Sequence, residues 1–507
     1  MVNPKKQFVR DTAGFALSQY LSRFVQLFRG LIAARLLGPA AYGSWNALLL
    51  VLDYGILTQL GLQQGLDQGV PGSLATDPPE KTRRLKQGGI AGMTLLWLVF
   101  AVGMAIYLVV RPRRLAESWG PWGVMLMVIA VLLQMLIYYH GTLLRSHGRI
   151  GVVSKTMSIQ AIVGGLAGLG LVFPFGVWGL LAGWLAGQVL ALAYIRRLGA
   201  PFAPLAFLPN AQTRQLLALG FPIFLFTAAS TVLRSVDRVM ILKFLSVEAL
   251  GYYSIGLMGV SMLLYLPDSI AYVLYPRLIA KYAETGDADV TAREMVRPLA
   301  VVAWVMPLVV GISVFWVREL VMIFLPQYLP GVRALSVLLF GALGMALASI
   351  PSFYIMAIRQ QVQLVPMALL TIGVEIGLIL LFLHAGAKIE GVALAVSLGS
   401  GLYGLGLLGF SAMHAAATTS TRIGFVMKSA LPSLLTVLLC VGLYLGLRPR
   451  LEPYASEGMI SLLLSLVFVA FYLLLARRLK PRTGVVAMLR ESSWPFARML
   501  AGVWARD

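Results

Sequence analysis

Residues 121–144 read PWGVMLMVIAVLLQMLIYYHGTLL, a segment without a single charged side chain. A helix that crosses a membrane needs about 20 consecutive, mostly apolar residues, because the hydrocarbon core is about 30 Å thick. The segment therefore predicts a transmembrane helix. It is also the pattern that the rest of the chain repeats.

Similar segments recur along all 507 residues, of which 59% are hydrophobic and only 12% are charged. Soluble domains carry about 25% charged residues, so this composition excludes a soluble enzyme. We expect an all-α polytopic membrane protein with about fourteen transmembrane helices. They lie near residues 12–36, 42–64, 88–110, 121–144, 152–173, 176–196, 215–241, 250–275, 296–317, 332–357, 362–384, 390–412, 425–447 and 458–477.

The net charge of +21 could indicate nucleic-acid binding, but the basic residues stand in short loops between apolar segments. Cytoplasmic loops of membrane proteins are enriched in Lys and Arg. The basic residues fall mostly in loops that are inside if the N-terminus is inside, with 111–114 as the main exception. We therefore expect a multi-pass protein of the bacterial cytoplasmic (inner) membrane with both termini in the cytoplasm, and no nucleic-acid partner.

No sequence pattern indicates a cofactor, a metal or a removable leader. The one cysteine, Cys440, lies in an apolar segment, the four histidines are scattered, and no phosphate-binding loop appears. Residues 1–10 lack the apolar core of a signal peptide. Asp287-Ala-Asp289 is the only D-x-D sequence, and we interpret it as part of a solvated loop.

The two halves of the chain resemble each other at an offset of 208 residues. ARLLGPAAYGSW (34–45) then lies over LKFLSVEALGYY (242–253), so Gly43 corresponds to Gly251. Six helices in each half make a parallel repeat, which is typical of two-lobed transporters with a site between the lobes. The predicted parts are an N-lobe (1–198), a linker (199–214), a C-lobe (215–413), two added helices (414–480) and an amphipathic cytoplasmic tail (481–507).

The first helix of each lobe carries a polar stripe. The stripe of helix 1 covers an arc of about 140°, that of helix 7 about 120°, and the repeat offset superimposes them. The stripe residues are Ser18, Gln19, Ser22, Arg23, Gln26 and Arg29 on helix 1, and Thr227, Ser230, Thr231, Arg234, Asp237 and Arg238 on helix 7.

If the arginines on these stripes faced lipid, each would cost about 2.5–3.5 kcal/mol on insertion into the membrane. We therefore expect them to line a water-filled cavity. Guanidinium groups bind phosphate oxygens bidentately. The predicted substrate-binding residues are Arg23, Arg29, Gln26, Gln19, Arg234 and Arg238. The alternative is structural: Asp237 pairs with Arg234 or Arg238, and Asp53 with an arginine of helix 1.

Four acidic residues in predicted helices are candidates for cation coupling or for ion pairs. They are Asp53, Asp237, Asp268 and Glu375. A carboxylate paired with an arginine, or placed near a helix end, is the commoner arrangement in membrane proteins. Helix 1 has no acidic residue in mid-membrane, which argues against a cation-coupled multidrug site.

Four segments resemble the polysaccharide-biosynthesis (Wzx-like) flippases of the multidrug/oligosaccharidyl-lipid/polysaccharide exporter superfamily. They are residues 34–66, residues 220–256 with Asp237-Arg238, residues 324–338 and residues 389–399. The resemblance implies a non-enzymatic flippase that moves a lipid-diphosphate-linked oligosaccharide to the outer leaflet by alternating access. It also implies membrane lipids, a polymerase and glycosyltransferases as partners of what we expect to be a monomer. A cation-coupled multidrug extruder and a membrane glycan polymerase or ligase are the alternatives.

Overall fold

The computed structural model describes the backbone of residues 4–110, 112–198, 209–415 and 418–479, and within these ranges the side chains outside residues 4–24 and 112–119. Every regular element in this part is helical, which confirms the predicted all-α membrane fold. The α-helices are α1 (Pro4–Leu57), α2 (Leu62–Thr76), α3 (Pro79–Val110), α4 (Pro112–Ser146), α5 (Ile150–Arg197), α6 (Ala211–Leu233), α7 (Val236–Phe244), α8 (Val247–Thr285), α9 (Ala288–Phe324), α10 (Val332–Ala357), α11 (Leu364–His384), α12 (Ile389–Ala415), α13 (Thr419–Gly446), α14 (Arg448–Leu451) and α15 (Glu457–Leu479).

Among the described residues, eleven helices are long and apolar enough to cross a membrane, or twelve if the bent pair formed by residues 25–57 and 62–76 is one span. Three long helices contain internal breaks at glycines with positive φ. α1 breaks at Gly38 (φ 76°), α4 at Gly120 (φ 64°) and α5 at Gly176 (φ 55°). The two arms of α5 hold the predicted spans 152–173 and 176–196. The break in α1 separates the predicted spans 12–36 and 42–64, and the second of these runs past the end of α1 into α2.

The two arms of α5 fold back on each other as an antiparallel hairpin. Glycines face each other along its length, and a Cβ added at Gly183 would overlap the backbone of Gly168. Likewise, a Cβ at Gly187 would lie 2.7 Å from the Cα of Gly164. Small residues spaced four apart let transmembrane backbones approach this closely. The glycine spacing thus builds the pair that the sequence predicted as 152–173 and 176–196.

The second arm of α1 packs on the start of α8 through residues that the repeat relates. A Cβ at Gly43 would overlap the carbonyl oxygen of Val247, and a Cβ at Gly251 would overlap that of Pro39. The offset of 208 converts one contact into the other, because it carries Gly43 to Gly251 and Pro39 to Val247. This pair of contacts, which lies within residues 1–251, is therefore two-fold symmetric.

Contacts divide the chain into two compact units, residues 1–251 and 252–507. In the first unit, α2 packs on α6 at Gly61 and Gly220, and Leu62, Leu66 and Leu216 are fully buried around this crossing. The lobe boundaries drawn from the sequence stay a prediction. The predicted tail (481–507) and most of the predicted linker lie outside the described residues.

In the second unit, α13 and α15 pack tightly on α9. The ring of Phe468 is fully buried and fills the position where a Cβ of Gly311 would stand. The Tyr472 hydroxyl donates to the Trp304 carbonyl over 2.7 Å, inside the same cluster. The last two helices are thus an integral part of this unit's core.

Candidate functional site

The predicted helix 7 is broken at the centre of its polar stripe. α6 ends at Leu233, α7 begins at Val236, and Arg234 and Ser235 form the junction. The Ser235 hydroxyl, which is fully buried, donates to the Thr231 carbonyl (2.7 Å) and contacts the Tyr54 hydroxyl of α1 at 2.9 Å. The sequence predicted a continuous helix over 215–241. Polar side chains satisfy the backbone and allow the break instead.

This break holds Arg238 against Asp53 of α1. The Arg238 Nη2 lies 3.5 Å from the Asp53 Oδ2 and also donates to the Arg234 carbonyl over 3.1 Å. The Asp237 carboxylate accepts the backbone N–H of Arg238 at 2.7 Å. The Arg238 Nε is buried and makes no hydrogen bond in the described structure. The guanidinium group thus keeps one buried donor available.

The two partners of this ion pair differ in exposure. The side chain of Arg238 is 15% exposed, whereas that of Asp53 is 37% exposed. Asp53 was considered as a partner of the helix 1 arginines, and among the described side chains it contacts an arginine of helix 7. Asp237 does contact Arg238, but through the backbone.

The stripe of helix 1 is described only from residue 25 onward. Arg29 is half-buried, and its Cζ lies 5.8 Å from the ring centroid of Trp45 on the other arm of α1. A guanidinium at this distance from an indole ring makes a favourable cation–π contact. Gln26 is exposed. Gln19 and Arg23 lie outside the described side chains, so their predicted roles stay predictions.

The sequence analysis missed a cluster of three glutamines in the middle of helices α4 and α5. The Gln160 amide donates to Gln134 (2.8 Å) and Gln188 (2.6 Å), and Gln188 donates to Gln134 (2.7 Å). The Tyr138 hydroxyl is hydrogen-bonded to Gln134 and lies within electrostatic reach of Asp53. The only sign of this cluster in the sequence is a single glutamine in the middle of each of three apolar segments.

A second missed cluster lies just beyond the bend between α1 and α2. Leu60 and Gly61 take positive φ values of 51° and 98° there. Asp67 of α2 accepts from the Thr142 hydroxyl (2.6 Å) and from Arg145 of α4 (2.8 Å). This hydrogen-bonded ion pair joins α2 to α4 and is about two-fifths exposed on each side.

The second unit holds the other two acidic candidates. Glu375 is 1% exposed in α11 and its side chain fills the space beside Gly399 of α12. Asp268 is half-buried on α8.

Asp287 and Asp289 do not form a metal-binding pair: Asp287 caps the start of α9, and Asp289 contacts His414 at 3.0 Å. Among the described residues no group of three or more metal-ligating side chains could hold a metal ion.

Comparison with known proteins connects this architecture to a family. The sequence profile of polysaccharide biosynthesis proteins matches residues 8–281, more than half of the chain. No protein with a curated description matches the sequence.

Solved structures share the fold at low sequence identity. A lipid II flippase, MurJ, in an inward closed conformation has a TM-score of 0.65 and 17% identity, over 92% of this chain and 99% of its own. An inward-facing multidrug resistance MATE transporter has a TM-score of 0.59 and 14% identity, over 80% of this chain and 96% of its own. A transporter of the MOP superfamily from Pyrococcus furiosus has a TM-score of 0.55 and 14% identity, over 82% of this chain and 96% of its own. The fold is therefore that of the MOP superfamily.

Proposed function

Because the chain belongs to the polysaccharide biosynthesis protein family, we propose that it is a flippase for a lipid-diphosphate-linked oligosaccharide. The substrate would move from the cytoplasmic to the outer leaflet by alternating access. The observation that carries the proposal is the arginine site at the break between α6 and α7. Among the described residues, the Arg238 guanidinium there has a buried Nε donor without a hydrogen bond and one ion pair, with Asp53.

The chemistry of this site suits a diphosphate head group. A phosphate can accept from Nε and from a terminal nitrogen of one guanidinium, which is the bidentate geometry that arginine offers. Arg234 is exposed at the same break, and its charge adds to the field. The Tyr54 and Tyr138 hydroxyls are groups of the kind that hydrogen-bond sugars. The apolar tail would remain in the bilayer.

Transport needs no nucleotide in this scheme. With both termini in the cytoplasm of a bacterial cell, outward movement of an anion follows the inside-negative potential. That potential is worth about 2.3 kcal/mol per charge for each 100 mV. Glycosyltransferases would supply the substrate and a polymerase would consume it outside. Reporter fusions to the C-terminus test the orientation.

Replacing arginines at the break tests the function. Arg238→Gln removes a charge-assisted hydrogen bond worth about 2 kcal/mol, so we expect flipping to slow about 30-fold. Lipid-linked glycan should accumulate in the cytoplasmic leaflet of cells that carry this variant. Arg84→Gln is the matched control, because Arg84 is 66% exposed and contacts only Glu80 across 3.9 Å among the ion pairs described. Normal flipping by Arg238→Gln would refute the proposal.

A cation-coupled multidrug extruder is the second candidate, and Glu375 is the observation that favours it. A fully buried carboxylate in the middle of a transmembrane helix is often a coupling site. Deletion should then sensitise cells to cationic drugs, and Glu375→Gln should reproduce that sensitivity. A flippase predicts loss of surface polysaccharide with unchanged drug resistance.

A further inference from the structure

We propose that Asp53 is a built-in competitor for Arg238, and that the diphosphate of the substrate binds by displacing it. This inference rests on the proposed function, since it assigns a regulatory part to the same arginine. The Asp53–Arg238 pair is then the resting state of the empty site. The contrasting role would be that of a structural clamp, a permanent ion pair that holds the helices together.

The geometry of the pair is poor for a clamp. A structural arginine–carboxylate pair uses two parallel N–H donors at about 2.7–2.9 Å. Here one terminal nitrogen lies 3.5 Å from one carboxylate oxygen and is shared with the Arg234 carbonyl, while the buried Nε donates to nothing described. Half of the guanidinium fork is therefore available to a better acceptor.

The structure fixes Arg238 and leaves Asp53 room to move. Arg238 is anchored by the Arg234 carbonyl and, through its backbone N–H, by Asp237. Asp53 is more than twice as exposed as its partner. An incoming phosphate would thus find the arginine in place and need to turn only the aspartate side chain.

The helices need not separate when Asp53 leaves. Tyr54, the next residue, holds α1 to the break through its 2.9 Å contact with the Ser235 hydroxyl. Tyr138 of α4 lies within electrostatic reach of the Asp53 carboxylate, and a tyrosine hydroxyl is a donor that a released carboxylate can use.

Such a competitor sets a threshold for occupancy. It lowers the binding affinity of Arg238 for every anion by the same factor. A poor ligand such as chloride therefore stays unbound, while a diphosphate still binds. The empty transporter also avoids exposing an unpaired arginine inside the membrane, which is costly. The proposal accordingly names the ligand class that can open the pair: a multiply charged phosphate anion, such as a diphosphate.

Binding of inorganic pyrophosphate to the full-length protein in lipid nanodiscs tests the proposal. We expect Asp53→Asn to bind pyrophosphate about fivefold more tightly than the wild type, the factor for a partly exposed pair worth about 1 kcal/mol. Asp67→Asn is the matched control. It removes the same charge from the first unit, but Asp67 pairs with Arg145. It should leave the affinity unchanged.

Three further measurements make the outcome decisive. Asp53→Ala should reproduce the gain, which guards against misfolding of the first variant. Asp53→Asn with Arg238→Gln should bind no better than Arg238→Gln alone. If Asp53→Asn binds pyrophosphate equally or more weakly, or if Asp67→Asn gains as much, the competitor role is refuted. If Arg238→Gln binds pyrophosphate like the wild type, the arginine site of the proposed function fails instead.

Discussion

The contact between the second arm of α1 and the start of α8 predicts a paired effect of two substitutions. In Gly43→Ala the new Cβ would overlap the Val247 carbonyl oxygen and stand 2.8 Å from the Gly251 nitrogen. In Gly251→Ala the Cβ would overlap the Pro39 carbonyl oxygen and stand 3.0 Å from the Pro39 Cα. All these atoms belong to the backbone, so no side chain can rotate away.

The size of the destabilisation follows from how far each added Cβ pushes the two helices apart. Carbon and oxygen atoms pack at about 3.5 Å, so either alanine forces the helices roughly 1.5 Å apart. Overpacking of this kind costs about 1–3 kcal/mol, while alanine in place of glycine returns up to about 1 kcal/mol of helix propensity. We expect a net destabilisation of about 1–2 kcal/mol for each variant. The double variant should cost less than the sum, because the first Cβ already separates the helices.

Thermal unfolding of the purified protein in detergent measures these effects. Gly103→Ala is the matched control, since no atom lies within 4 Å of the Cβ that it would add. The midpoints of Gly43→Ala and Gly251→Ala should fall by similar amounts, and that of Gly103→Ala should stay or rise. Midpoints for the two paired variants that match the control would refute the close contact. A fall in only one of them would refute its two-fold symmetry.

Three other substitutions test the interior of each unit. Gly183→Val inserts a side chain against Gly168 and should prevent the α5 hairpin from closing, which membrane-fraction expression levels would reveal as loss of folded protein. Gln188→Leu leaves the other two glutamines bonded to each other and should cost about 1 kcal/mol in unfolding free energy. Tyr472→Phe removes the hydrogen bond from the Tyr472 hydroxyl to the Trp304 carbonyl and should lower the thermal midpoint by a similar amount, whereas an unchanged midpoint would count against that hydrogen bond.

Hydropathy was sufficient to predict the membrane fold, because the bilayer imposes helices on any chain that crosses it. The α5 hairpin was predictable for the same reason: apolar arms of spanning length flank Pro174 and Gly176. Helix continuity was harder to predict. The break at Arg234 and Ser235 falls inside an apolar segment with no Pro or Gly at the junction. It depends on the Ser235 hydroxyl and on Tyr54, about 180 residues away in sequence.

The contacts around the break were predictable in part for a related reason. A helical stripe places residues on one face, and this placed Arg234, Asp237 and Arg238 correctly as neighbours. A stripe cannot indicate which residue of another helix will face it, so the Asp53–Arg238 pair required the structure. The glutamine cluster was missed because each member stands alone in its own segment, and only helix packing brings them together.

The break in helix 7 gives the arginines a property that a continuous helix would not. In an unbroken helix the Arg234 carbonyl would accept from the backbone N–H four residues later. In the structure it accepts from the Arg238 side chain instead, and the backbone N–H of Arg238 donates to Asp237. The Arg238 guanidinium is thereby held by the Arg234 carbonyl as well as by the longer contact with Asp53. Under the proposed function, an arginine held in this way would exchange one anion for another without moving, as repeated loading and release of an anionic substrate would require.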